Sequence, residues 1–204
     1  MEELNIIICG VGGQGSILME RIVGLSAIKK GYQVIAADTF GASQRGGSVL
    51  SHLRLGYGVN SCLIPSGKCD VVLALEPLEG ARGASKYLRK DGLVILSTHP
   101  ILPAKVKTGE LSYPALDLMV GSIRQLTANI VCIDGFKIAR KSGNEKSTNI
   151  VMLGALVGSG AVPLDAHVVR EAMSELMGSK IAQANMKAFK AGFELGEQNK
   201  TKEV

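Results

Sequence analysis

Two short glycine-punctuated segments hold the residues whose types and spacing could do chemistry. The first, Gly10-Val11-Gly12-Gly13-Gln14-Gly15, follows an apolar run at residues 4–9 and opens a helix-like stretch. A strand, a G-x-G-x-x-G turn and a helix are the setting in which this pattern cradles the phosphates of a dinucleotide. Glycine lets the backbone turn tightly and approach a neighbour closely, and the helix beyond presents free N–H groups and a partial positive charge to an anion. Asp38 ends the next strand, near where a ribose-binding carboxylate would sit. Tight packing of the helix on the sheet, or contact with another subunit, is the competing reading of the same glycines. Gln14 is the loop's one polar side chain.

The second segment, residues 40–48, joins the carboxyl end of one strand to the start of the next. It contains Ser43, Gln44, Arg45, Gly46 and Gly47. Ligands of open α/β sheets collect at such ends. One arginine among glycines suits a carboxylate, a phosphate or a partner's backbone, because the guanidinium fork grips planar anions. A surface turn with a solvated arginine is the alternative. The segment is no part of a nicotinamide-binding pattern.

Other polar residues have simpler expectations. His52 shares a strand face with Arg54 and reads as a solvated or interface residue. His99 precedes Pro100 at a strand's end and reads as a loop residue, although a site there is geometrically open. His167 reads as solvated at the start of a late helix. Three dispersed histidines give no metal site. Glu76 and Glu79 flank Pro77 at a strand-to-helix junction, where carboxylates cap a helix without any catalysis. Cys9, Cys62, Cys69 and Cys132 are too widely spaced for an iron–sulfur ligand set. Cys9 and Cys132, in strand-like runs, are expected to be buried thiols. No residue earns a catalytic assignment.

The elements that must position these groups alternate. Strands are expected at 4–9, 33–37, 48–55, 70–75, 93–96 and 130–133. The third alternates like a half-exposed, antiparallel strand, whereas the first is apolar throughout, as in a parallel sheet. Helices are expected at 16–30, from Pro77 to about residue 88, at 116–128, and, once the β signal ends, at 149–157, 165–177 and 181–195. Pro100 and Pro103 force an extended connection, and Asp165 is a candidate N-cap. The expected fold is one α/β domain over residues 1–204: a Rossmann-like, mostly parallel sheet with helices on both faces and a helical C-terminal extension from about residue 145.

Bulk composition narrows the function. The 204 residues are 46% hydrophobic but only 4% aromatic, so platforms for stacking nucleic-acid bases are scarce. The net charge of +5 comes from scattered lysines and arginines, which favours an acidic protein or a phosphorylated small molecule over nucleic acid. No apolar segment approaches a bilayer-spanning length, and no signal-peptide pattern precedes the first strand. The expected setting is soluble and cytoplasmic, with reduced thiols.

The chain resembles the gamma-type subunit, or domain, of 2-oxoacid:ferredoxin oxidoreductases. The resemblance runs in order through residues 6–15, 42–49, 64–79 and 149–156. Within that family, Gln44-Arg45-Gly46-Gly47-Ser48-Val49 and Leu75-Glu76-Pro77-Leu78-Glu79 look closest to the beta subunit of indolepyruvate ferredoxin oxidoreductases. The resemblance implies oxidative decarboxylation of a 2-oxoacid on thiamine diphosphate, with electrons passed singly through iron–sulfur clusters to ferredoxin and the acyl group to coenzyme A. It also implies that thiamine diphosphate, its magnesium and the clusters belong to a large partner subunit, so that this chain binds no cofactor alone and is inactive alone. The implied contacts with substrate, coenzyme A or partner are Gln14, Gln44 and Arg45, then Ser43 and His52, with the surrounding glycines. The isolated subunit is a candidate homodimer. A free-standing NAD(P)- or nucleotide-binding enzyme, using Asp38 on a ribose, is the alternative.

Overall fold

The apolar run after Glu3 forms β1 (Leu4–Val11), and it lies at the centre of a six-stranded sheet because both of its faces are buried. The computed structural model describes residues 3–40 and 46–200. The other strands are β2 (Val34–Phe40), β3 (Ser48–Leu55), β4 (Cys69–Ala74), β5 (Leu88–Ser97) and β6 (Ile130–Ile133), in the order β2-β3-β1-β4-β5-β6. Strands β1, β4, β5 and β6 are mutually parallel; β3 runs antiparallel between β1 and β2. The sheet is therefore mixed, and its parallel part has the Rossmann-like character expected.

Alternate β1 side chains feed two cores. Ile6 and Ile8 face the larger one, formed with α1 (Ser16–Lys29), α6 (Thr148–Gly158), α7 (Ala166–Met177) and α8 (Ser179–Gln198). Ile7 and Cys9 face a smaller one, closed by α2 (Pro77–Tyr87) and α4 (Leu116–Arg124). Short helices α3 (Ala104–Lys107) and α5 (Gly135–Lys141), and a 3-10 turn at Glu145–Ser147, complete the connections.

The C-terminal helices are a layer of the fold more than an extension. Every residue of α6 but Thr148 is buried, and α6 packs along α8 with almost no side chain between the backbones. Gly154 and Gly158 on α6 face Gly192 and Gly196 on α8. A Cβ built on Gly154 would overlap the Phe189 carbonyl and lie 2.8 Å from the Phe193 amide nitrogen; one on Gly192 would overlap the Val151 carbonyl. Small residues four apart on each helix permit this approach, which dense interiors otherwise forbid.

Several local expectations are corrected. Strand β3 is buried on both faces, not half exposed, because the chain from Tyr57 to Pro65 folds over its outer face. His52 is only 2% exposed: its Nδ1 accepts the Ile64 amide at 3.1 Å and its ring stands edge-on to Tyr87. Arg54 beside it is also buried, donating to Asn5 Oδ1 at 2.9 Å, to the Ser61 carbonyl at 2.7 Å and to the Glu3 carboxylate. Cys132 is exposed. Asp165 makes no side-chain cap on α7 and pairs instead with Lys30 at 2.7 Å.

Candidate functional site

The two glycine segments lie against each other at the carboxyl edge of the sheet. Gly12 donates its N–H to the Gly47 carbonyl at 2.8 Å, and Gly46 donates to Gly12 at 3.4 Å, continuing the β1–β3 ladder. Ser43, Gln44 and Arg45 fall outside the described residues. Gly46, just after them, is anchored on the glycine loop, whereas Phe40, at the end of β2, pairs with Val49 of β3.

Gln14 locks that loop. Its Oε1 accepts the Val11 amide at 2.7 Å and its Nε2 donates to the Leu75 carbonyl at 2.8 Å, tying β1 to the end of β4. Its side chain fills the space above Gly10, where a Cβ would sit 3.0 Å from the Leu75 Cβ. Gly15 is the left-handed N-cap of α1, with φ +81°, and the Asn149 amide fills the space above it. The cradle that these glycines offer a pyrophosphate in a dinucleotide-binding turn is thus occupied by two side chains of the protein. Gly13 differs: at φ +102° its free side faces open space.

The ribose assignment for Asp38 fails on topology. Strand β3 is inserted between β1 and β2, so Asp38 pairs with Ser51, accepts its hydroxyl, and stands two strands from the glycine loop. Glu20 of α1 is close enough for its charge to be felt. Burial first, and the Asp38 charge second, push the Glu20 carboxyl up to about 7.

A carboxylate network flanks the loop on the α2 side. Glu76 is the N-cap of α2, accepting the Glu79 amide at 2.9 Å, as expected of this junction, and also accepts the Tyr113 hydroxyl. Glu79 accepts the Ser48 hydroxyl at 2.5 Å and pairs with Arg82 at 2.7 Å. Burial and the Glu76 contact raise the Tyr113 phenol. Both carboxylates are committed within the protein, which suits positioning better than proton transfer.

On the other side of the loop lies a cleft of about 370 Å³. Gly13, Gln14 and Leu75 form one wall. Ser97 and His99, from the end of β5, meet Phe136, Lys146 and Thr148 across it. His99 stacks on Phe136 with ring centroids 4.2 Å apart and planes 12° apart. His99 lies in the loop after β5, as its sequence reading has it, and lines this cleft. Phe136 and Lys146 gave no signal in sequence, and Asn149 entered only as the start of a segment carrying the resemblance; Ser97 could have been found from its place at a strand's carboxyl end. His167 is exposed, 3.7 Å from Glu171.

Among the described residues no group of three or more His, Cys, Asp or Glu side chains could hold a metal. Cys9 and Cys69 are buried, and burial pushes the Cys69 thiol up to about 12 and raises that of Cys9. Neither of these two thiols is poised as a thiolate ligand. Among the described residues no helix is long and apolar enough to cross a membrane.

Comparison with known proteins gives consistent matches. A family model described as pyruvate ferredoxin/flavodoxin oxidoreductase matches residues 5–195. The chain is 43% identical over 190 residues to the indolepyruvate oxidoreductase subunit IorB of Archaeoglobus fulgidus, covering 93% of this chain and 94% of that one. The gamma subunit of a keto/oxoacid ferredoxin oxidoreductase from Geobacter sulfurreducens superposes with a TM-score of 0.69 at 22% identity, covering 96% of this chain and 99% of that one. The 2-oxoglutarate:ferredoxin oxidoreductase of Magnetococcus marinus, solved with 2-oxoglutarate, coenzyme A and succinyl-CoA, superposes with a TM-score of 0.73 at 20% identity, covering 97% of this chain but 32% of that one. At these identities the two structures establish the fold alone.

Proposed function

The chain belongs to the pyruvate ferredoxin/flavodoxin oxidoreductase family and is a small subunit of a 2-oxoacid:ferredoxin oxidoreductase; from that premise we propose that its complex oxidatively decarboxylates indolepyruvate, or a related aryl pyruvate, to the acyl-CoA with ferredoxin as electron acceptor. The observation that carries the choice of substrate is the 43% identity, over nearly the full length of both chains, to an indolepyruvate oxidoreductase subunit. Geometry supports the division of labour. Both carboxylates beside the glycine loop are committed to internal partners, which leaves them a positioning role. Thiamine diphosphate with its magnesium, and the clusters, would then be held mainly by a large partner subunit, and coenzyme A would meet this chain at its carboxyl edge. A single chain nearly three times as long in the Magnetococcus marinus enzyme includes a unit of this fold, which supports close association with further domains.

In this reading Gln14 organises the edge from within, and Ser43, Gln44 and Arg45 make the contacts with partner or substrate. The free-standing NAD(P) enzyme is disfavoured, since Gln14 and Asn149 fill the glycine cradle and Asp38 stands two strands away. The complex is placed in the cytoplasm, where its thiols stay reduced. The test is truncation of Arg45 to Ala in the assembled complex. Turnover of indolepyruvate should fall on the order of tenfold or more, as for loss of a charge-assisted contact, while the subunits still co-purify. Unchanged turnover would remove Arg45 from the site.

A further inference from the structure

We propose that the free edge of β2 is a self-association surface, on which a second copy of this chain adds its own β2 antiparallel about a two-fold axis at Ala37, so that two sheets become one. The inference does not depend on the oxidoreductase reading. Strand β2 ends the sheet: β3 pairs with one side of it, and among the described residues no strand pairs with the other. Its pairing with β3 is regular, without a bulge, and Gly56 donates its N–H to the Gln33 carbonyl at 3.1 Å. Hydrogen-bonded positions alternate along an antiparallel ladder, so Ile35, Ala37 and Thr39 turn their backbone groups to β3 as Gln33 does. The N–H and C=O groups of Val34, Ala36, Asp38 and Phe40 therefore face outward, and among the described residues they form no hydrogen bond.

Soluble proteins blunt such edges with short strands, lysine, proline, a bulge or a covering element. The opposite edge follows that rule, since β6 has four residues. Strand β2 has seven, Val-Ile-Ala-Ala-Asp-Thr-Phe, and its one charged side chain, Asp38, is held inward by the Ser51 hydroxyl. Symmetry selects a second copy as the occupant. A two-fold axis at Ala37, the middle of the strand, sets Val34 opposite the partner's Phe40, Ile35 opposite the partner's Thr39 and Ala36 opposite the partner's Asp38. Every outward group then meets an outward group, with about eight backbone hydrogen bonds in all, and no like charges stand opposite each other. The residue on the axis, where a non-hydrogen-bonded pair brings side chains closest, is a small alanine. Apolar surface flanks the strand. A Cβ on Gly24 of α1 would lie 3.4 Å from Val34, and Ile28, one turn further along that side of α1, is 57% exposed. Tyr57, bonded to the Gly31 carbonyl in the turn before β2, is 63% exposed.

The experiment follows the purified full-length chain by sedimentation velocity across a range of concentrations. The expected result is a reversible monomer–dimer equilibrium with a Kd of roughly 1–100 µM, because a strand edge and its flanks fall at the small end of specific interfaces. Ala36→Pro removes an outward N–H and leaves the β3 ladder intact; it should keep the parent's circular dichroism and weaken the dimer about tenfold or more. Cross-linking reads the register. In a Cys62→Ser, Cys132→Ser background, which removes the two exposed thiols among the described residues, Ala37→Cys should give a disulfide-linked dimer on mild oxidation, since a non-hydrogen-bonded pair holds its Cα atoms about 4.5 Å apart. Thr39→Cys should not, because its two copies stand four residues apart along the strands, roughly 14 Å. A chain that stays monomeric well above that concentration range, a dimer that a folded Ala36→Pro variant leaves unchanged, or equal cross-linking through positions 37 and 39 would overturn the proposal. None of these results bears on the substrate or on assembly with a large subunit, so the two readings fail separately.

Discussion

Replacing Gly154 with alanine should unlock the seam that seats the C-terminal layer. The new methyl group would overlap the Phe189 carbonyl oxygen and lie 2.8 Å from the Phe193 amide nitrogen, both of them backbone atoms of α8 that no rotamer change can move aside. Restoring ordinary contact requires α8 to move away by roughly 1 Å. Overpacking of this kind costs about 1–3 kcal/mol, and the rigid backbone neighbour puts this case at the upper end. Alanine returns about 1 kcal/mol through its better helix propensity, leaving a net loss of about 2 kcal/mol. For a domain of this size that is a fall in melting temperature of about 4–8 °C. Gly121 on α4 is the internal control, because a Cβ there meets nothing within 4 Å. Gly121→Ala should stabilise by about 0.5–1 kcal/mol from propensity alone. Urea denaturation of both variants beside the parent protein measures the two effects. Because α6 also places Asn149 over Gly15, the Gly154 variant should loosen the glycine loop, seen as faster amide exchange at α1's first turn. If Gly154→Ala proves as stable as Gly121→Ala, the seam argument is wrong.

Other perturbations test neighbouring parts of the account. Glu20 has its carboxyl raised to about 7 by burial and by Asp38, so its neutral form is the one the fold favours. Its contribution is complete below about 4.5 and is lost as pH rises through about 7; Glu20→Gln should therefore gain about 1–2 kcal/mol over the parent at pH 8 and almost nothing at pH 4, and a pH-independent effect would sink this assignment. His52 behaves in the opposite sense: burial lowers its pKa, so its contribution is present above the ordinary value of 6.5 and declines as pH falls below it. Denaturation midpoints of a His52→Gln variant should consequently lose part of the parent's acid sensitivity. Gln14→Leu strips the partners from the Val11 amide and the Leu75 carbonyl and should cost about 1–3 kcal/mol, with a smaller loss in Gln14→Glu, which keeps an acceptor for Val11.

Periodicity and punctuation revealed the order of elements because the buried strands are short apolar runs and the helix starts carry Pro77 or a left-handed glycine. Each glycine segment was legible as a loop at the carboxyl end of a strand, but that the two touch was not. Strand order was not legible: nothing local says that β3 inserts between β1 and β2, and that insertion is what separates Asp38 from the loop. The burial of His52 and Arg54 was hidden for a similar reason, because the alternation of β3 cannot reveal a loop folded over its polar face. Gly154, Gly158, Gly192 and Gly196 read as tolerated helix glycines when taken singly. Only pairing two helices, with α7 between them in the chain, turns them into a seam. The far wall of the cleft, from Phe136 to Asn149, belongs to elements that have no sequence relation to the glycine loop they face.

The most direct test of the central claim is indolepyruvate-dependent ferredoxin reduction by the large thiamine diphosphate and iron–sulfur subunit, measured anaerobically with and without this chain. The account predicts a stable complex of the two and turnover only when both are present. Full turnover by the large subunit alone, or a chain that neither associates with it nor alters its rate, would contradict it.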